Sequence, residues 1–226
     1  MRRCLLAAFA ALLLGRAAAA ELTSLEQRWL QGAWPVVTWA KSTGLPLDVV
    51  VQPQPAPDAA PLAMAFVDGR CKLVLSLRGN PQAQAMLDRI EPALEDGALA
   101  LMAAHELGHC HRHLDGAWLG VPPGFVQHAP AGLDDTLRDA WARMQSTRRE
   151  EAYADLVGLA WIRRHRAQDY ARLHAWLVAE RSRDRLPGDH HDTLAWITQA
   201  GDEAFAGPTV FAAADMLWPR HLAVEP

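Results

Sequence analysis

The sequence lacks an excess of basic residues, and it lacks any apolar run after residue 20 that is long enough to span a membrane. Lysine and arginine number 22 against 26 acidic residues, for a net charge of −4. This balance argues against a nucleic-acid surface, and the short apolar runs argue against a membrane span in the mature chain. Internal repeats and low-complexity tracts are also missing. A length of 226 residues, half of them hydrophobic, predicts one domain.

The first twenty residues have the layout of a secretory signal peptide. A basic start is followed by an apolar stretch over residues 4–14 and by small residues that end at Ala20. An uncleaved membrane anchor is the alternative, but eleven apolar residues are too few to cross a bilayer. We therefore predict a mature domain of residues 21–226 that is periplasmic or secreted.

Cysteine is scarce, with three in the whole chain. Cys4 would leave with the signal peptide, so Cys71 and Cys110 remain as an even pair in an oxidising compartment that favours a disulfide. Two separately buried thiols are the alternative. A third possibility makes Cys110 a metal ligand beside His109, but neighbouring helical residues point about 100° apart, so Cys110 should face away from that metal.

The hydrophobic patterns predict an α+β fold with a small, mostly antiparallel sheet beside an active-site helix and several further helices. Strands are expected at residues 47–51, 62–67 and 71–77, the last two joined by an Asp68-Gly69 hairpin turn. A first helix should be capped by Thr23 or Ser24, and another by Asn80. Further helices are expected at residues 93–113, 133–165, 169–183 and 192–205, with a loop at 116–132 that lies over a cleft.

Residues 105–109, His-Glu-Leu-Gly-His, form the pattern H-E-x-x-H within a predicted helix. Residues four apart lie on one face of a helix, so His105 and His109 can bind a single ion. A hydrolytic zinc ion takes three protein ligands and leaves one position for water. The sequence lacks the third histidine of the metzincin pattern, because Asp115 stands at that position and Arg112 replaces the expected glycine.

A carboxylate from a second helix is the remaining source of a third ligand. Residues 146–158, STRREEAYADLVG, resemble the S-R-x-x-E-x-x-A-D-x-x-G stretch of the M48 family of zinc peptidases, which are gluzincins. The resemblance spans about residues 105–197 and implies a zincin-like fold with Zn²⁺ held by His105, His109 and Glu151. It also implies that Asp155 orients a ligand histidine from behind. Glu150 points off this face and is expected to be a solvated charge.

The same family carries a downstream histidine that stabilises the oxyanion, and here Asp189-His190-His191-Asp192-Thr193 lies in that place without the usual proline. The spacing to Ile197 favours His190, whereas the small hydroxyl residue two positions later favours His191. The absence of the transmembrane helices found in some members implies the soluble periplasmic branch.

These observations predict a secreted zinc metallopeptidase that cleaves a peptide or protein substrate, with Glu106 as the general base. A hydrolase of small peptides or amides is a further alternative that is compatible with the sequence. The alternative from another class is a periplasmic metal-binding protein or an inactive peptidase-like domain. It is motivated by closely spaced histidines at positions 105, 109, 111 and 113.

Overall fold

A computed structural model describes residues 21–53, 56, 59–183, 185–201 and 205–222; the predicted signal peptide lies outside these residues. Helix α1 (Ser24–Ser42) begins at Thr23, whose side chain accepts a hydrogen bond from the Glu26 backbone. The Glu26 carboxylate accepts in return from the Thr23 backbone N–H at 2.6 Å. This reciprocal pair is the capping box that the sequence predicts.

The three described strands form one mixed sheet: β1 (Leu47–Pro53), β2 (Leu62–Val67) and β3 (Arg70–Arg78), in the order β1-β3-β2. The expected hairpin is present, and Asp68 and Gly69 in its turn both have positive φ. The expectation of a mostly antiparallel sheet is wrong, because β1 pairs with β3 in parallel. A hairpin turn determines the pairing of β2 with β3, but the longer connection after β1 brings it to the opposite edge of β3.

Two long helices lie against each other, and the first of them also packs on this sheet. Helix α2 (Pro81–Leu87), capped by Asn80, leads to α3 (Glu95–Leu114), and α4 (Asp135–His165) follows a loop. Two glycines let α3 and α4 approach closely. A Cβ atom at Gly108 would lie 2.8 Å from Ala154 Cα, and one at Gly158 would lie 2.9 Å from the Leu101 carbonyl oxygen. Any larger residue would push apart the two helices that carry the predicted ligands.

The C-terminal part is less helical than the sequence predicts. Helix α5 (Tyr170–Ser182) agrees with expectation, but the helix expected at 192–205 is a single turn, α6 (Leu194–Ile197); residues 202–204 lie outside the described part. The Ala200 carbonyl accepts a hydrogen bond from the Tyr170 hydroxyl at 2.5 Å instead of continuing a helix. Helices α7 (Val210–Leu217) and α8 (Pro219–Leu222) complete the described chain.

Cys71 at the start of β3 and Cys110 on α3 form a disulfide, with Cα atoms 5.7 Å apart. The bond ties the sheet to α3, and both residues are fully buried. Cys110 therefore points toward the sheet and away from the face of α3 that carries His105 and His109. Among the described helices, none combines the length and the apolar character that a membrane crossing requires.

Candidate metal centre

Helix α3 places His105 and His109 one turn apart on its buried face, next to α4. Their Nε2 atoms are 3.2 Å apart, and the two rings meet edge to face. The helical period alone accounts for this arrangement, as the H-E-x-x-H spacing predicts. Both rings are nearly buried, so their nitrogen atoms have little access to bulk water.

Glu151 reaches the same point from α4. Its Oε2 atom is 3.4 Å from His105 Nε2, and its Oε1 atom is 3.5 Å from His109 Nε2. One ligand atom from each of the three residues lies within 4.8 Å of the other two. The structure thus brings together the three residues that the sequence nominates as metal ligands.

The electrostatics of this cluster favour a positive charge between the three side chains. Burial lowers the pKa of His109 to about 4, so its imidazole is neutral and keeps a lone pair for coordination. Burial also acts on Glu151, but the hydrogen bond from His105 and nearby cationic groups outweigh it and lower the Glu151 pKa to about 2. For His105, burial is outweighed by Asp155 and Glu151, which raise its pKa to about 10. The pocket therefore stabilises a proton, or a cation in its place.

Asp155 lies behind His105, as the sequence predicts, and accepts a hydrogen bond from His105 Nδ1 at 2.8 Å. This bond leaves Nε2 directed at the cluster, which is how metal-bound histidines are commonly oriented. Asp155 is fully buried, and three further contacts hold it. Arg181 on α5 donates two hydrogen bonds at 2.7 and 2.8 Å, and the Thr193 hydroxyl donates one at 2.6 Å.

Sequence reasoning missed both Arg181 and Thr193. Burial opposes the charged form of Asp155, but Arg181 and the His105 hydrogen bond keep the Asp155 pKa well below its ordinary value. Arg181 also approaches Glu151 to 3.7 Å. No motif in the chain indicates these contacts, since they depend on how α5 and the segment before α6 pack on α4.

Glu106 follows His105 but lies toward β2, outside the group of three ligands. Burial raises the pKa of Glu106 to about 7; the nearby Glu151 charge adds to this, whereas His105 and the Met64 backbone N–H oppose it. The contact with Met64 places the Glu106 carboxyl at the sheet margin. Glu106 therefore lies outside the ligand group, as expected of a general base that transfers a proton without binding the metal.

The structure distinguishes the two downstream histidines. His191 Nε2 is 3.7 Å from Glu151 Oε2, and its side chain is about half exposed. His190 instead pairs with Asp189, and its ring lies against the His191 ring with centroids 4.0 Å apart. His191 is therefore the histidine that the fold brings to the cluster, and His190 is not.

Glu150 departs from expectation. It points away from the cluster, but it is buried rather than solvated, because Arg112 donates hydrogen bonds to both carboxylate oxygens at 2.7 and 3.1 Å. The Leu119 backbone N–H adds a third at 2.9 Å, and the Arg112 guanidinium also lies over the Trp218 ring. A sequence pattern that places Glu150 off the ligand face does not reveal the buried cation opposite it.

The other histidines of α3 do not join the cluster. His111 stacks on Phe211 with ring centroids 4.0 Å apart, and His113 stacks on Trp118 at 4.1 Å. In the described part of the chain, the group able to hold a metal contains His105, His109 and Glu151. The four closely spaced histidines thus do not share one site.

Two cavities in the described part of the chain are lined by different elements. The one next to the cluster, about 160 Å³, is lined by Arg181, Arg185 and His191 among others. The larger one, about 340 Å³, lies between α4 and α7 and is lined by none of the cluster residues. The smaller cavity is likewise not lined by His105, His109 or Glu151, but two of its lining residues, Arg181 and His191, each approach Glu151 to 3.7 Å, so we place the candidate chemistry beside it.

No protein-family model matches the chain, and neither a curated protein nor a solved structure matches it. The resemblance to M48 peptidases therefore rests on the residues named above and stays a prediction.

Proposed function

We propose that this protein is a zinc-dependent peptidase of the gluzincin type, in which His105, His109 and Glu151 hold the metal. The observation that carries the proposal is the convergence of two imidazoles and one carboxylate from two helices, with a second carboxylate, Glu106, beside them. Two imidazoles and one carboxylate form a ligand set that catalytic zinc uses in other peptidases. The donor types and their close approach fit zinc.

A bound zinc ion supplies a Lewis acid that polarises a carbonyl group and acidifies a water molecule. Glu106 would take the proton of that water and pass it to the leaving amine. His191, which is exposed on the Arg181 side of the cluster, would donate a hydrogen bond to the carbonyl oxygen as negative charge develops there. Asp155 would keep His105 in the required tautomer.

A peptide substrate is favoured because β2 offers an unpaired edge next to Glu106. The Ser76 N–H donates to the Pro61 carbonyl, so the alternation of an antiparallel ladder directs the backbone groups of Met64 and Phe66 away from β3. No described strand pairs with that side of β2. An extended peptide added there would hydrogen-bond to the strand and pass the Glu106 carboxyl.

The decisive experiment separates metal binding from catalysis. Zinc-loaded Glu106→Gln should keep about one zinc per chain and its fold yet lose nearly all hydrolysis of a denatured-protein peptide pool, measured by mass spectrometry. Glu91→Gln, at an exposed glutamate, is the matched control. Wild-type cleavage rates in zinc-bound Glu106→Gln would contradict the mechanism. Zinc binding by the wild type with no cleavage of any peptide would favour the metal-binding protein instead.

The downstream histidines provide a graded test of the same proposal. His191→Ala should lower the turnover number by about a hundredfold, the typical cost of losing one oxyanion donor. His190→Ala should have little effect, because that ring pairs with Asp189. The reverse order of effects would show that the assignment of His191 is wrong.

A further inference from the structure

Three aromatic rings form a continuous row from the free edge of β2 to the metal cluster. Phe66 stacks on His113, with centroids 5.0 Å apart and planes at 9°, and His113 stacks on Trp118 at 4.1 Å and 15°. Trp118 also meets the ring of the proposed ligand His109, with centroids 5.5 Å apart in an edge-to-face contact. We call Phe66, His113 and Trp118 the aromatic row.

The outer members of the row remain open to solvent. Phe66 is 38% exposed and Trp118 is 37% exposed, whereas Trp29 and Trp196 of the core are each 1% exposed. Large apolar side chains that stay exposed beside a cluster of polar ligands are typical of a binding site. The row therefore offers apolar surface within contact distance of the proposed metal ligands.

The turn that carries Trp118 is held in a conformation that leucine rarely adopts. Residues 117–120 form a turn closed by a hydrogen bond from the Gly120 N–H to the Ala117 carbonyl, and Leu119 within it has φ of 59°. The buried Arg112–Glu150 pair holds this turn, since Glu150 accepts from the Leu119 N–H and Arg112 donates to the Gly120 carbonyl at 2.6 Å.

The contacts that hold this turn also fix the position of Trp118. Strained backbone persists where surrounding contacts determine it, and it is common at ligand-binding sites. The buried ion pair thus presents the indole at the cluster instead of leaving it to the solvent-exposed loop.

We propose that the aromatic row is a specificity subsite that binds a bulky apolar side chain of the substrate peptide; this inference rests on the proposed peptidase function. A peptide paired with β2 beside Met64 and Glu106 reaches Phe66 two residues further along, a distance of about 7 Å. A phenylalanine or leucine side chain at that position would lie against Phe66 and Trp118. The π faces of Phe66 and Trp118 carry partial negative charge and favour an apolar side chain over a carboxylate.

The test measures binding separately from turnover, with zinc-loaded Glu106→Gln as the parent protein. Two fluorescein-labelled peptides of alanine, serine and glycine are compared by fluorescence anisotropy, one with a central phenylalanine and one with alanine in its place. The parent should bind the phenylalanine peptide about tenfold or more tightly, as is usual for an apolar pocket. Adding Trp118→Ala should reduce that ratio to near one, with the zinc content unchanged.

Two further variants serve as controls. Trp118→Phe should retain most of the preference, and Trp34→Ala, at an exposed tryptophan of α1, should retain all of it. The proposal is overturned if the parent binds both peptides equally or not at all, or if the ratio survives Trp118→Ala.

Hydrolysis by the wild type distinguishes the two proposals. Cleavage without an apolar preference removes the subsite and leaves the peptidase standing. An apolar binding preference without any cleavage by the wild type would keep the subsite and contradict the peptidase.

Discussion

Two adjacent glutamates of α4, Glu150 and Glu151, enter two buried networks that differ in their balance of charge. Glu150 faces Arg112, and one guanidinium together with one backbone N–H satisfies both of its oxygens. Glu151 faces two histidines and shares its surroundings with the carboxylates of Glu106 and Asp155. Arg181 is the guanidinium that reaches this second network.

The charge balance distinguishes the two networks: Glu150 belongs to a complete structural ion pair, whereas Glu151 does not. Around Glu150 the positive and negative charges match, so nothing further is needed to stabilise the buried carboxylate. Around Glu151 the carboxylates outnumber the single guanidinium, so the balance depends on a proton on His105, and a divalent ion between Glu151 and the histidines would take the place of that proton. Burial of a glutamate on α4 therefore does not by itself indicate a metal ligand; the exchangeable positive charge beside it does.

The largest expected effect is on metal binding. Glu151→Gln should abolish stoichiometric zinc binding, because it replaces one of three ligands with a neutral amide, whereas Glu150→Gln should keep about one zinc per chain. Elemental analysis after dialysis against micromolar zinc measures both. Loss of zinc in Glu150→Gln with retention in Glu151→Gln would reverse the comparison.

The complementary prediction concerns stability. Glu150→Ala should lower the free energy of unfolding by about 3–5 kcal/mol, because it leaves the buried Arg112 guanidinium without its carboxylate. Glu91→Ala, which breaks an exposed pair with Arg172, should cost about 1 kcal/mol or less. Urea unfolding of the metal-free proteins gives both values. A cost for Glu150→Ala no greater than that of Glu91→Ala would mean that the buried pair adds little.

A smaller effect is expected behind the proposed ligands. Asp155→Asn should weaken zinc binding by about 10- to 100-fold, because the residue orients His105 and is not itself a ligand. Asp96→Asn, at an exposed aspartate in the first turn of α3, is the control. Competition with a chelator measures both affinities. An unchanged zinc affinity in Asp155→Asn would show that the Asp155 contact does not support the site.

The smallest expected effect tests the strain held by the Glu150 network. Leu119→Gly should stabilise the protein by up to about 1 kcal/mol, since glycine adopts positive φ without the steric cost that leucine incurs. Val126→Gly in the same loop should destabilise it by a few tenths to about 1 kcal/mol, because that position has no positive φ to relieve. Thermal unfolding of both variants provides the measurement. Destabilisation by Leu119→Gly would mean that its lost apolar contacts outweigh the strain.

Most features that the sequence predicts correctly have a local cause; the Cys71–Cys110 disulfide, favoured by the even cysteine count, is an exception. The capping box at Thr23, the Asp68-Gly69 turn and the spacing of His105 and His109 each depend on residues within a few positions of one another. Glu151 is implied as a ligand by the resemblance to M48 peptidases rather than by periodicity. Even so, the helical period explains why Glu151 and Asp155 lie on one face of α4.

What the sequence by itself determined is therefore the helix that carries His105 and His109, the hairpin and the candidate donors. The tertiary structure alone decided that β1 runs parallel to β3 and that Glu150 is buried. It also decided that Arg181 and Thr193 hold Asp155. Of the two downstream histidines, it brought His191 rather than His190 to the cluster. Such contacts join residues far apart in the chain. No short sequence pattern encodes them, because they depend on how whole helices and strands pack around a shared core.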